Sequence, residues 1–279
     1  MDARVHILLA RKSAMAVAIR RGPSKRVCTV GWDRERDVFT LGQWFKGHIY
    51  ERRCDLSADG KWLICFALNG KERYEAKGAW TAISKAPYLK ALVLWAKGDT
   101  WGGGGLFTGL TSYWIEGGPV GVPSIMAHQL IRDDPQFVRD EASSVGRWVR
   151  GGPDVVIYYN RLERDGWAFV GATDPHVDPR VFVFEKALPF GMKLRKRATH
   201  GHSGLGHGCY YDTHELVSRE GSAVPLLEAA EWAEYDGKRV MWVERGILKV
   251  AEPIDGGVAN ERQLYDFNPM TFENIKAPY

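Results

Sequence analysis

The densest gathering of chemically capable side chains is the run Thr199-His200-Gly201-His202-Ser203-Gly204-Leu205-Gly206-His207-Gly208-Cys209, with Asp212 and His214 just beyond. Half of the chain's eight histidines fall here. Imidazole nitrogens suit borderline divalent metals, and a glycine-rich backbone lets them converge. His200, His202, His207, Asp212 and His214 are therefore candidates for a site holding a metal such as Zn²⁺, with Asp212 as ligand or as orienter of a ligand. The spacing matches no zinc-protease pattern, because His214-Glu215-Leu216-Val217-Ser218 lacks the second histidine. The competing reading is a polar loop of solvated imidazoles, for which no cofactor is expected.

Just upstream lies a basic strip. Lys193, Arg195 and Arg197 alternate on one strand face, with Lys196 between them. Such groups bind anions as point charges or forks. A solvated strand edge that resists aggregation is the competing account. No nucleic-acid motif accompanies the charge, so a protein or peptide partner is preferred to nucleic acid. Lys193, Arg195, Arg197 and Trp101 form the candidate partner surface. Trp101 opens a tract, Trp-Gly-Gly-Gly-Gly-Leu-Phe over 101–107, that resembles a phosphate cradle but lacks a following Gly-Lys-Ser/Thr. A flexible turn or bulge between strand aromatics is the expectation. Acidic residues beside expected strands are Asp33, Asp37, Asp55, Asp99, Asp154, Glu163, Glu185 and Asp212. A suitably spaced pair of them would hydrolyse glycosides. No Gly-x-Ser-x-Gly elbow, dinucleotide fingerprint or cysteine-nucleophile motif is present.

The elements that must position these groups read as short strands. Val5–Ala10, Ala14–Ile19, Arg26–Trp32, Asp37–Leu41, Trp62–Leu68 and Leu89–Trp95 are apolar runs separated by charged turns. The strand pattern resumes at Val155–Tyr159, Trp167–Val170 and Val181–Phe184, with a hairpin over 239–250. A helical insertion is expected near 124–150. Its main helix would span 134–149, capped by Asp134 and started by Pro135, with Val138, Ala142, Val145 and Val149 at helical spacing.

Three segments share a plan of strand, Asp-Gly turn and apolar strand. They centre on Asp59-Gly60, Asp165-Gly166 and Asp236-Gly237. The plan resembles the TolB-type β-propeller repeat, roughly Trp-Ser-Pro-Asp-Gly-Lys followed by an apolar strand. The motif proline is replaced by Ala58, Arg164 and Tyr235. The resemblance implies an all-β propeller, residues 1–279 as one domain, with blades of about 40–50 residues. Five blades suit this length, with six as the alternative, and the N-terminal strand would complete the last blade. Two unrelated β subdomains are the competing architecture.

Composition agrees with a soluble globular β protein: 45% hydrophobic, 26% charged, net charge +4, with 11 each of Trp, Tyr and Phe and 31 Gly. No stretch approaches the roughly 20 apolar residues of a membrane helix. His6, Arg11 and Lys12 break up the N-terminal apolar run, so no signal peptide is expected there and a cytoplasmic location is. The four cysteines form no C-x-x-C pair, and Cys54 and Cys65 sit at apolar strand positions. The reading is a non-catalytic propeller that binds a protein or peptide, within a larger assembly. The alternative is a propeller hydrolase, metal-assisted or glycoside-hydrolase-like, acting on carbohydrate or phosphate ester.

Overall fold

The computed structural model describes residues 2–22, 25–117, 128–140, 146, 148, 153–201 and 210–279. Among them the chain is all-β, with twenty-two strands in five sheets and one α-helix. No helix of the described residues is long and apolar enough to cross a membrane. The chain divides into two compact units: residues 7–165 with 271–279, and residues 1–6 with 166–270.

The first sheet is a meander of β1 (Arg4–Leu9), β2 (Met15–Arg21), β3 (Arg26–Asp33) and β4 (Val38–Lys46), which from Ile7 onward belongs to the larger unit. The second sheet contains β5 (His48–Ile49), β6 (Asp55–Leu56), β7 (Trp62–Leu68), β8 (Ala79–Lys85) and β9 (Ala91–Ala96). The third is built on β10 (Gly105–Phe107) and β11 (Ser112–Ile115). β12 (Gln129–Arg132) adds to β9, and β13 (Val138–Arg139) pairs in parallel with β11.

β7 explains why its sequence is a solid apolar run. Leu63, Cys65 and Ala67 pack with Leu8, Val17, Ile19 and Val27 of the first sheet. The opposite face sends Ile64 toward Phe107, Tyr113 and Ile115 of the third. A strand covered on both sides has no polar face to alternate. The tail 271–279 also belongs to this unit. Gln43 Nε2 donates to the Ile275 carbonyl at 2.8 Å, Trp44 meets Phe272, and the Tyr279 hydroxyl donates to the Lys90 carbonyl at 2.6 Å.

The helix differs from expectation. Within the expected insertion, residues 128–140 form β12, a turn and β13; 124–127, 141–145, 147 and 149–150 lie outside the described residues. The Asp134 carboxylate accepts the Gln136 N–H at 3.1 Å, closing a local turn instead of capping a helix. The helix, α1, runs Pro153–Arg164, across the Val155–Tyr159 run expected as a strand. Val155, Val156, Ile157, Tyr158, Tyr159 and Leu162 are all buried, so the helix is covered nearly all round. Its sequence therefore shows a continuous apolar block, which periodicity cannot separate from a strand. Gly166, at φ +91°, ends it.

In the smaller unit the fourth sheet runs in order β14 (Ala168–Ala172), β15 (Arg180–Ala187), β16 (Lys193–His200), β17 (Tyr210–Val217) and β18 (Ala223–Val224). The fifth is β19 (Trp232–Tyr235), β20 (Val240–Glu244), β21 (Ile247–Ile254) and β22 (Gly257–Asp266). β1 pairs with β2 in the first sheet and does not join the fifth, as completion of the last blade required.

Two of the three Asp-Gly segments are hairpins. β6 pairs with β7 around Asp59-Gly60, and β19 with β20 around Asp236-Gly237. Both glycines have positive φ, +78° and +92°. Asp59 accepts the Lys61 N–H, and Asp236 those of Lys238 and Arg239. The middle segment is helix, turn and strand, because Leu162 belongs to α1.

Candidate functional site

The alternating side chains of β15, β16 and β17 form two different surfaces. On the inner face, Phe184, Lys196 and His214 lie in one cross-strand row. Lys196 is 2% exposed and His214 is 3% exposed. Lys196 Nζ is 3.1 Å from His214 Nε2 and 3.8 Å from Asp212 Oδ2. An ammonium only donates, so Nε2 accepts, and Nδ1 carries the proton it donates to the Ala230 carbonyl at 3.0 Å. The Lys196 ammonium also lies 4.9 Å from the Trp167 ring centroid, and that of Lys186 lies 5.1 Å away. Glu234 completes the cluster, accepting from Trp167 Nε1 at 2.9 Å and from Lys186 Nζ at 2.6 Å.

This is where the histidine-rich candidates fall. Asp212 and His214 share the inner face as alternate residues of β17 and meet Lys196. His200 ends β16, its ring stacked on Tyr210 at 4.9 Å. His202 and His207 lie outside the described residues. Among the described residues no group of three or more His, Cys, Asp or Glu side chains is placed to hold a metal ion. Lys196 reads in the sequence as part of the basic strip, and only its inward placement separates it from its neighbours.

The strip itself lies on the outer face. It is not an edge: β16 is the middle strand of five. Arg195 is forked onto Glu185, with Nε and Nη2 at 2.9 and 2.8 Å from Oε1, and its Nη1 reaches Glu215 Oε2 at 3.1 Å. Lys193 donates to Glu185 at 2.9 Å, and Arg197 Nε meets Glu215 at 3.3 Å. The hydrogen bond to Glu185 pushes the Arg195 guanidinium above its ordinary value, against the pull of burial. The cations thus alternate with carboxylates in a ladder, the sheet analogue of helical ion pairs.

Trp101 belongs to the larger unit and is 70% exposed. The chain on either side of it is fixed. Asp99, held by Lys97 at 3.0 Å, accepts the Trp101 N–H at 3.0 Å. The Thr100 carbonyl accepts from Arg53 Nη1 at 2.8 Å. Arg53 is itself buried in an ion pair with Asp154 and lies over the Tyr50 and Phe66 rings. The Gly103 N–H donates to the Glu116 carbonyl at 3.0 Å, and that of Gly104 to Thr81 Oγ1 at 2.8 Å. A Cβ on Gly103 would enter the Phe66 ring, and one on Gly104 the Arg53 carbonyl. The glycine tract is therefore a pinned turn, where a flexible one was expected, and no cradle for phosphate.

The acidic candidates are each engaged. Asp55 forms a fork with Arg164 at 2.6 and 2.7 Å, Asp33 caps a turn at Glu35, and Asp37 accepts from Trp32 Nε1. Glu163 accepts from Trp148 Nε1 at 2.8 Å. Asp99, Asp154, Glu185 and Asp212 carry the ion pairs given above. Burial pushes the Cys28 and Cys65 thiols up to about 12 and raises Cys54 as well, so these sulfurs are held as thiols. No family model, curated protein or solved structure matches the chain.

Proposed function

We propose that the chain is a non-catalytic, propeller-type binding protein of the cytoplasm that engages a protein or peptide partner, as part of a larger assembly. The observation that carries this reading is Trp101: an indole mostly in water, on a loop hydrogen-bonded on both sides. Burying a large aromatic ring on association is strongly favourable. A loop already fixed loses little entropy when it binds. Tryptophan is also among the residues that dominate binding energy at interfaces. Sheets packed face to face in the 7–165 unit support the blade organisation, with the five sheets as five blades.

The test is site-specific photo-cross-linking in the native host, with the cross-linker at Trp101 and, as control, at the exposed Val38. The expected result is a discrete adduct at 101 alone, whose partner is then lost at least tenfold on pull-down with Trp101→Ala. That variant should unfold within about 0.5 kcal/mol of wild type, as surface changes do. Equal capture by the variant, or no adduct at 101, overturns the reading.

A further inference from the structure

The outer face of the fourth sheet carries an open groove of about 360 Å³ between β14 and β16. Its origin is local. The β14–β15 register slips between Phe169 and Gly171, leaving Val170 as an extra residue that is 53% exposed. A bulge re-aims the side chain it inserts. Gly171 then stands opposite Val183, and Val183 opposite Arg197, in a single cross-strand row. Outside Val170 and Ala172, no atom of the described residues lies within 4 Å of where a Gly171 Cβ would be, so that end of the row is open space beside Val183. The far end is Arg197, 44% exposed, bound among the described residues only through Nε to Glu215 at 3.3 Å. Arg195, by contrast, spends all three of its nitrogens on Glu185 and Glu215. The Arg197 fork is the cation of the groove that still faces outward with two donor nitrogens to offer.

We propose that this groove docks an extended peptide carrying a carboxylate flanked by aliphatic residues. An aliphatic side chain fills the space above Gly171 against Val170 and Val183, and the carboxylate takes the Arg197 fork. The charge complementarity is that of a planar guanidinium, which binds carboxylate through two parallel hydrogen bonds. Residues two apart in an extended peptide face the same way, so the groove fits an aliphatic residue two positions from the acidic one, and an aliphatic on both sides of the acid serves either chain direction.

The probe is a dye-labelled, capped heptapeptide, Ser-Val-Ser-Glu-Ser-Val-Ser, followed by fluorescence anisotropy on the full chain. Saturable binding is expected, weakened at least tenfold by Glu to Gln in the peptide, by Arg197→Gln and by Gly171→Val. Gly171→Val adds its side chain where a Cβ has open space, and Gly171 lies outside the positive-φ region, so the backbone accepts it. Circular dichroism and the unfolding midpoint check that it does. Val38→Ala, at an exposed position of β4, should leave peptide binding unchanged. No saturable binding by the wild-type chain, or equal affinity for the Gln peptide or for the filled groove, overturns the proposal.

Discussion

Lys196 and His214 stand directly opposite each other on β16 and β17, the ammonium nitrogen 3.1 Å from a ring nitrogen whose partner nitrogen is committed to the Ala230 carbonyl. The pairing sets the imidazole tautomer and places a positive charge 3.8 Å from the Asp212 carboxylate, in a region almost closed to water. Removing one member of a buried ion pair costs about 3–5 kcal/mol. Lys196→Met should therefore destabilise the protein by roughly that amount in urea unfolding. Adding Asp212→Asn should recover at least about 1 kcal/mol, a coupling read from the double-mutant cycle. A single-variant loss below about 0.5 kcal/mol would show the cluster to be energetically idle.

His128 supplies a pH dependence. Burial first, then the nearby Lys97 and Arg139 cations, lower its pKa to about 4. Unfolded, it titrates near 6.5. Between those values the unfolded chain binds the extra proton, so stability is complete above about 6.5 and declines as pH falls toward 4. Discounted for partial exposure, the effect is about 1–2 kcal/mol. The urea midpoint of the wild type should fall relative to that of His128→Asn between pH 7 and pH 4.5, because only the wild type takes up the proton on unfolding; parallel curves across that window would refute the assignment.

Gly103 should tolerate no side chain. It has φ +103°, and a Cβ would enter the Phe66 ring. Gly103→Ala is expected to cost about 2–4 kcal/mol, combining a strained backbone with a steric clash. Thermal unfolding of the variant measures it, with Trp101→Ala as the neutral neighbour.

Alkylation mapped by mass spectrometry should find Cys28, Cys54 and Cys65 unmodified in native protein at pH 8 and fully modified in urea. All three are buried, at 0%, 0% and 3% exposure, with thiols shifted away from ionisation. Labelling of any of them at the rate of a free thiol in native protein would mean that the segments carrying them open readily.

Much of the β architecture is legible in the chain because its signals are local. An Asp-Gly pair between apolar runs needs only its own backbone to turn, and Asp59-Gly60 and Asp236-Gly237 do so. The helix is not legible, since α1 is buried on nearly every side and loses the stripe that announces a helix. The candidate site divides the same way. Alternation along β16 assigns Lys193, Arg195 and Arg197 to one face and Lys196 to the other. Which face meets the protein interior depends on Trp167 and Glu234, far away in sequence. Gly171 gives no signal at all, because its contribution is a missing side chain beside a register slip.

The segment 271–279 has a consequence for biogenesis. It packs on Gln43, Trp44 and Lys90, yet it is translated only after the whole 166–270 unit. The larger unit therefore cannot complete itself as it leaves the ribosome. It must wait, its tail site vacant, until the intervening hundred or so residues have been made. A nascent chain stalled before Thr271 should expose the Trp44 region to proteases that spare the released protein.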